Sequence, residues 1–382
     1  METKPTAAQR VMDTRTASSP SLIGQPKSAL DTPALLVDLD VMETNIARIV
    51  ATCRAHGVSW RPHAKGHKTP EIAHKLMAAG AIGLTCAKLG EVEVFADAGI
   101  GDCVIANQVV GAAKMRRLTA VLGHADPVVA VDSIPNLDEL NAAAMQAGKT
   151  LRVVIEVNVG MDRAGVEPGA PVLALAREIA KRPGLRFAGV LAWESHAARI
   201  ADPDEKSRVV AAAIAKLTAS ARACAEAGFK VEIVSCGGTG TFPYCAQQPG
   251  VTEIQAGGAI FSDMHYRTNF HADFPPALTL LATVTSRPTP TRIVMDAGRK
   301  AMSSDMAMPS PIGLPPFKAM KISAEHSQVE LDEPNAAPRI GDKVEMVAGY
   351  SDSTVYLHEE IVAVRKGRIE AVWIIAGRGK IK

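Results

Sequence analysis

The sequence predicts an α/β protein in which a (β/α)8 barrel of the TIM type precedes a mainly antiparallel β domain. Between residues 59 and 257, eight short apolar segments alternate with amphipathic helical patterns, which is typical of parallel strands covered by helices. Eight such strands close a barrel, although an open doubly wound sheet remains the alternative. After Phe274-Pro-Pro276 strand-like segments follow one another without long helical patterns, which indicates a second, β domain.

The domain boundaries follow from these patterns. A polar leader at residues 1–28 has no apolar core of a secretory signal and is expected to be disordered. The barrel is predicted at 29–275 and the β domain at 276–382. An early strand at 35–39 is a candidate to pair with the β domain, and Asp40 is a candidate cap for the helix that follows it.

The barrel elements are predicted in a regular order. The strands are Ser59–Lys65, Gly83–Lys88, Asp102–Asn107, Pro127–Asp132, Leu151–Gly160, Leu185–Trp193, Lys230–Cys236 and Val251–Gly257. The helices between them are Glu71–Ala79, Gly90–Ala98, Ala112–Leu122, Asn136–Ala147, Pro171–Lys181 and Glu205–Ala227. In the β domain the predicted strands are Ala277–Ser286, Arg292–Asp296, Lys343–Val347, Glu360–Arg365 and Glu370–Ile375.

Composition excludes several classes of function. The net charge of +2, from 42 basic and 40 acidic residues, indicates neither a nucleic-acid nor a membrane partner. No apolar segment approaches the roughly 20 residues of a membrane span. The 6 cysteines form no C-x-x-C motif and several lie in apolar segments. We therefore expect buried free thiols in a reducing compartment, which indicates a cytoplasmic protein.

The segment Arg61–Pro70 combines two lysines and two histidines where the first barrel strand passes into a helix. Such junctions lie at the C-terminal ends of barrel strands, where active sites collect. An amine held there can attack a carbonyl as a nucleophile. A solvated basic loop is the alternative interpretation of this segment alone.

Two glycine-rich loops follow the last two predicted strands, at Ser235–Thr241 and Gln255–Gly258. Backbone N–H groups of such loops converge on anions, and barrels often bind phosphate after strands seven and eight. Arg163 follows the fifth strand, where its guanidinium can bind an oxyanion or phenolate. An amine, a phosphate site and an arginine around one barrel mouth are what a pyridoxal phosphate site requires.

Five ordered motifs make the chain resemble the D-threonine aldolase family, which includes 3-hydroxy-D-aspartate aldolases and, more distantly, D-serine dehydratases. The family's fold is similar to alanine racemase, a pyridoxal phosphate barrel followed by a β domain. The resemblance extends from Asp31 to Gly379 and implies a homodimer. The motifs are Arg61–Ala73, Gly160–Gly165, Cys236–Gly240, Glu253–Gly257 and Val294–Gly298.

The resemblance implies roles for particular residues. Lys65 would be the Schiff-base lysine, with His63 beside it, and Arg163 would contact the cofactor's ring oxygen. The phosphate would be held by the glycine-rich loops, with one tyrosine close by; these residues are Gly238, Thr239, Gly257, Gly258 and Tyr266.

The chain departs from the family pattern at two places. The family's metal site uses a His-x-Asp or His-x-Cys pair, and the matching residues here are Tyr350 and Asp352. A neutral phenol is a poor ligand for Mg²⁺ or Mn²⁺, so metal binding is expected to be weak or absent. Where the aldolases tend to carry a histidine for the substrate's hydroxyl proton, this chain has Arg199. Glu194 and His196 are the candidate bases nearby.

The predicted function is a pyridoxal-phosphate-dependent lyase that splits the Cα–Cβ bond of a small β-hydroxy D-amino acid into glycine, or a substituted glycine, and an aldehyde. A D-serine or 3-hydroxyaspartate dehydratase is the first alternative, and departure of its hydroxide needs a Lewis acid. A racemase or a transaminase of the same fold is also open. A non-catalytic pyridoxal phosphate carrier is the alternative of another class, against which the β domain argues.

Overall fold

The computed structural model describes residues 22–382, so most of the predicted leader lies outside the described residues. Residues 22–28 of that segment contact the β domain. Gly24 N donates to Ile369 O at 2.8 Å, and Pro26 forms an isolated bridge with Arg368. Within residues 22–382, no helix has the length and apolarity needed to cross a bilayer.

Eight parallel strands form the barrel, which confirms the predicted fold. The strands are β2 Ser59–Trp60, β3 Leu84–Cys86, β4 Cys103–Gln108, β5 Val128–Val131, β6 Leu151–Glu156, β7 Leu185–Leu191, β8 Ile233–Cys236 and β9 Glu253–Ile254. In the order of the sheet, β2 and β3 are its two ends, and a parallel bridge between His63 and Thr85 joins them.

Helices cover the outside of this barrel, as the apolar spacing predicts. The longer ones are Leu39–Ala55, Pro70–Ala78, Leu89–Asp97, Ala112–Val121, Ile134–Gln146, Ala170–Ala180 and Pro203–Glu226, and short helices lie at Ser195–Ala198, Phe242–Cys245 and Met264–Asn269. The cap of the first of these helices is not Asp40. Asp38 caps it instead, because its carboxylate accepts from Val41 N at 3.0 Å.

The barrel has two apolar layers because successive strand residues point to opposite faces. Val104, Val128, Ala130, Val154 and Ala188 are fully buried in a small cluster of strand residues inside the barrel. Their neighbours along the strands belong to the larger core between strands and helices. The interior is therefore packed with side chains, and the space for a ligand lies at the mouth.

The β domain contains the first and the last strand of the described chain. Its strands are β1 Ala34–Asp38, β10 Leu278–Thr289, β11 Arg292–Met295, β12 Ser310–Pro311, β13 Phe317–Ile322, β14 Ser327–Leu331, β15 Lys343–Val347, β16 Glu360–Arg365 and β17 Arg368–Ile374. They run in the order β13-β14-β11-β10-β1-β16-β17, and β1 pairs antiparallel with β10 and parallel with β16. A helix at Ser351–Tyr356 connects β15 to β16.

Sequence patterns did not predict β12, β13 and β14. Most residues of β13 are exposed, so its sequence Phe317–Ile322 has no strict alternation of apolar and polar residues. It is held by pairing with β14, a contact between chain segments that no local pattern reports.

A buried ion pair connects the end of the first barrel strand, β2, to the last barrel strand, β9. Arg61 Nε lies 3.1 Å from both carboxylate oxygens of Glu253, and both residues are 3% exposed. We expect Arg61→Met to lower the free energy of unfolding by about 3–5 kcal/mol, because Glu253 would stay buried without its cation. Urea denaturation measures this. Lys300→Met, which removes an exposed pair with Glu325, is the control and should leave stability almost unchanged.

Candidate active site

The main cavity lies at the C-terminal ends of the barrel strands and has a volume of about 540 Å³. It collects most of the side chains that the sequence singled out, although these come from many separate loops. Those lining it are Lys65, His63, Arg163, Gly238, Thr239, Gly257, Gly258, Tyr266 and Tyr350. The β domain closes one side of the cavity, since Tyr350 and Met306 come from it.

Lys65 lies on a short 3-10 helix, Ala64–Gly66, directly after β2. Its side chain is 42% exposed, and its Nζ lies 3.2 Å from Asp352 Oδ2. The cluster of cations expected from the sequence is therefore divided: Lys68 forms a buried ion pair with Glu91, and Lys65 faces a carboxylate from the β domain. The Lys65 amine therefore lies at the cavity wall next to the carboxylate of Asp352.

His63 holds the backbone of Lys65 by a hydrogen bond. Its Nδ1 accepts from Lys65 N at 3.3 Å, so a neutral ring carries its proton on Nε2. Burial, followed by the charges of Lys65 and Lys68, holds the pKa of His63 well below its ordinary value. The ring is therefore neutral at pH 7 and can take part in hydrogen bonds at the cavity wall.

His67 is a second buried histidine of this loop, and it makes stability depend on pH. Its Nδ1 accepts from Thr69 N at 3.1 Å, and its Nε2 has no partner among residues 22–382. Burial is the main reason that the pKa of His67 is lowered to about 3. An unfolded chain protonates this histidine near pH 6.5, whereas the folded protein resists protonation until about pH 3.

Stability contributed by a neutral His67 is therefore complete above pH 6.5 and decreases as the pH falls toward 3. Between pH 7 and pH 5 we expect the protein to lose about 2 kcal/mol more unfolding free energy than a His67→Gln variant. Urea denaturation of both proteins at the two pH values tests this. Equal losses would show that His67 is not the titrating group.

Four residues of the glycine-rich loops that line the cavity have backbone N–H groups without an acceptor. Those of Gly238, Thr239, Gly257 and Gly258 donate no hydrogen bond to any acceptor within residues 22–382. Buried N–H groups are almost always satisfied in folded proteins. Four unsatisfied donors around one space indicate a site for an anion with several oxygens, such as a phosphate group.

Neighbouring groups leave no room for side chains in these loops. A Cβ on Gly238 would overlap the ring of Trp193, and one on Gly257 would overlap the carbonyl oxygen of His63. A Cβ on Gly258 would overlap the ring of Tyr266. Glycine is therefore required by close packing, and the main chain can approach a bound group directly.

Arg163 belongs to a polar group on the wall after β6 that the sequence analysis found only in part. Its guanidinium is 3.7 Å from Glu156, which also accepts a hydrogen bond from Gln108. Burial is the main reason that the pKa of Glu156 is raised, and the nearby amide and guanidinium act in the opposite direction. A carboxylate that directly follows the apolar residues Val153, Val154 and Ile155, at the C-terminal end of β6, is the signal that could have identified Glu156.

The structure places neither candidate base, Glu194 or His196, on the cavity wall. Glu194 is fully buried below the first glycine-rich loop and accepts hydrogen bonds from Thr241 and Gly237. His196 is exposed at the rim and lies against Gly160. Their prediction as proton acceptors for a substrate is therefore corrected, because the folded chain commits one to a loop and the other to solvent.

Tyr350 and Asp352 lie at the start of the helix Ser351–Tyr356, opposite Lys65. The Tyr350 hydroxyl donates to Asp352 Oδ2 at 2.9 Å, and the Tyr266 hydroxyl donates to Asp352 Oδ1 at 3.4 Å. Burial, followed by the charge of Asp352, raises the pKa of Tyr350. The phenol therefore remains protonated at neutral pH. His358, two residues after this helix, bonds to the Ala301 carbonyl.

Comparison with known proteins places both parts of the chain. Residues 37–265 match the family described as alanine racemase, N-terminal domain, and residues 277–364 match the putative serine dehydratase domain. A D-threonine aldolase from Arthrobacter sp. is 37% identical over 94% of this chain and 96% of that protein. A 3-hydroxy-D-aspartate aldolase from Paracoccus denitrificans is 33% identical over 94% and 95%. The crystal structure of D-threonine aldolase from Filomicrobium marinum has a TM-score of 0.91 and 35% identity, covering 94% and 99%.

Proposed function

The chain belongs to the family of D-threonine and 3-hydroxy-D-aspartate aldolases, and we propose that it uses pyridoxal phosphate to cleave the Cα–Cβ bond of β-hydroxy D-amino acids. The products are an aldehyde and glycine or a substituted glycine. The observation that carries the proposal is one cavity with an accessible lysine at one wall and four unpaired N–H donors at another.

Pyridoxal phosphate fits this cavity by the chemistry of its donors. The N–H groups of Gly238, Thr239, Gly257 and Gly258 would hold the phosphate, and their lack of other acceptors supports this. Lys65 would hold the aldehyde carbon through its amine. When bound, the cofactor supplies an electron sink for the pair released at Cα.

The protein's own groups position the substrate and handle its protons. Arg163 and Glu156 form a polar wall that would fix the orientation of the ring. Lys65, whose Nζ lies 3.2 Å from Asp352 Oδ2, would supply an amine that can carry a proton to or from the substrate. The protonated Tyr350 and the neutral His63 are further hydrogen-bonding side chains that line the cavity.

The residues present do not fit a divalent metal at Tyr350 and Asp352. Within residues 22–382 the Tyr350 hydroxyl bonds to one carboxylate, that of Asp352, whose oxygens already accept from two phenols and face the Lys65 amine. Mg²⁺ and Mn²⁺ require near-octahedral oxygen sites, to which a neutral phenol contributes poorly. No step of the proposed reaction therefore depends on a metal.

The test is an assay of the purified holoenzyme with D-threonine, D-phenylserine and 3-hydroxyaspartate, in which aldehyde and ammonia are followed separately. We expect aldehyde without ammonia. Ammonia as the main product would indicate a dehydratase. Bound pyridoxal phosphate with no turnover of any substrate, with or without added metal, would indicate a carrier.

We further propose a homodimer that works in the cytoplasm. Met306, which lines the cavity, has an exposed apolar side chain, and so do Met308, Ile312 and Phe317 in the segment that follows it, which supports a partner surface in this part of the β domain. All 6 cysteines are free and buried, as suits a reducing compartment. Light scattering after gel filtration tests the dimer, because a mass near 40.2 kDa would show a monomer.

A further inference from the structure

The carboxylate of Asp352 is the centre of a small hydrogen-bonded cluster that crosses from the β domain to the barrel. Its Oδ2 lies 3.2 Å from Lys65 Nζ and accepts from the Tyr350 hydroxyl at 2.9 Å. Its Oδ1 accepts from the Tyr266 hydroxyl at 3.4 Å. The carboxylate therefore connects the amine that would hold the cofactor with a phenol on the cavity wall.

Gly66 makes this connection possible. A Cβ at Gly66 would lie 2.9 Å from Asp352 Oδ1, closer than real Cβ contacts. Any side chain at position 66 would push the carboxylate away from Lys65, the neighbouring residue. The missing side chain thus lets an acid from the β domain approach the lysine loop.

The cluster lacks the ligands of a cation site. Within residues 22–382, the one group of three or more acidic, histidine or cysteine side chains with converging ligand atoms is Glu194, Cys236 and Cys245, and it excludes Asp352. A divalent cation at Asp352 would also be repelled by the Lys65 ammonium beside it. An acid–phenol pair takes the place where a His-x-Asp pair would bind metal.

We propose that Tyr350, rather than a divalent cation, is the catalytic group that contacts the substrate's β-hydroxyl. This proposal rests on the proposed aldolase function. The phenol lines the cavity, and edge contacts with His265, whose ring centre is 5.2 Å away, and with Tyr266, at 5.9 Å, fix its ring. Its oxygen can accept a proton from the substrate while its own proton is donated to Asp352.

The β-hydroxyl proton is transferred through Tyr350 to Asp352. The O–H bond of the β-hydroxyl breaks as the carbon–oxygen double bond of the aldehyde forms. The two electrons of the broken Cα–Cβ bond stay with the Cα fragment. The proton passes to Tyr350 Oη, and the phenol's proton moves to Asp352 Oδ2 along the 2.9 Å hydrogen bond. One proton later reaches Cα, so the substrate's atoms divide completely between the aldehyde and the glycine.

The experiment compares the holoenzyme with Tyr350→Phe, Tyr350→His and the matched control Tyr356→Phe. Tyr356 ends the same helix, and its hydroxyl makes no hydrogen bond in the described chain. For Tyr350→Phe we expect kcat to fall about 100-fold with an unchanged KM and unchanged absorbance of bound pyridoxal phosphate. The control should keep the parental kcat.

Electron paramagnetic resonance of added Mn²⁺ provides a readout that needs no turnover. We expect the wild type, treated first with chelator, to leave the signal of free Mn²⁺ unchanged and to keep its activity. Tyr350→His restores a His-x-Asp pair and should reduce the free signal. Stoichiometric Mn²⁺ binding by the wild type would overturn the proposal.

Parental kcat in Tyr350→Phe would overturn it as well, while leaving the aldolase function intact. A wild type that releases no aldehyde from any substrate is a different result. It would end the proposed function and, with it, the role assigned here to Tyr350.

Discussion

Replacing Lys65 by alanine is expected to abolish both the yellow colour and the activity of the purified protein. The variant loses the one lysine amine that lines the cavity within residues 22–382 and could hold an aldehyde covalently, and also a proton carrier beside Asp352. We expect kcat/KM to fall by about 10³-fold or more. Absorbance spectra with added pyridoxal phosphate and an aldehyde-release assay measure the two losses.

Lys75→Ala is the matched control for this change. Lys75 lies on the next helix, Pro70–Ala78, and forms a partly exposed ion pair with Glu43. The control should therefore keep its colour and its activity, because exposed pairs contribute little. A Lys65→Ala protein as yellow and as active as its parent would remove the basis of the proposed function.

Replacing Gly257 by alanine is expected to open the phosphate site. Its backbone has φ −129°, a conformation that alanine adopts easily, so the effect is steric and not conformational. The new Cβ would overlap the carbonyl oxygen of His63 and force the second glycine-rich loop away from the loop that carries His63 and Lys65. We expect about 10- to 100-fold weaker pyridoxal phosphate binding, and unfolding free energy lower by about 1–3 kcal/mol.

Gly101→Ala supplies the comparison for this second change. Gly101 precedes β4 at the opposite end of the barrel, where its Cβ would approach Ala125 Cα to 3.3 Å, a distance that small shifts relieve. This variant should bind the cofactor as the parent does. Fluorescence titration with pyridoxal phosphate distinguishes the two, and equal affinity for Gly257→Ala would contradict a phosphate site at these loops.

Sequence reasoning was strongest where local pattern and tertiary role coincide. The eight barrel strands are apolar because helices cover one face and the packed interior the other, so their positions could be predicted to within a few residues. Lys65 and the glycine-rich loops could be predicted as one site because strand ends meet at the same face of a barrel.

Side-chain direction could not be predicted in the same way. Glu194 and His196 follow a barrel strand as a cavity residue would, yet one is buried under a loop and the other is exposed. The contact between Lys65 and Asp352 joins residues from different domains, so no local spacing reports it. The partners of Glu156 could not be predicted either, because Gln108 and Arg163 lie outside its strand and no local spacing reports these contacts.

Strand β1 has a consequence for how the protein is made. It lies between β10 and β16, so a strand that precedes the barrel in the sequence completes a sheet whose other members are all synthesised after the barrel. Leu35, Leu36 and Val37 would remain exposed during translation, although the barrel could already assemble. We expect nascent chains that stop before β16 to be bound by chaperones. The lyase should reach its folded state only once β16 has been synthesised and can pair with β1.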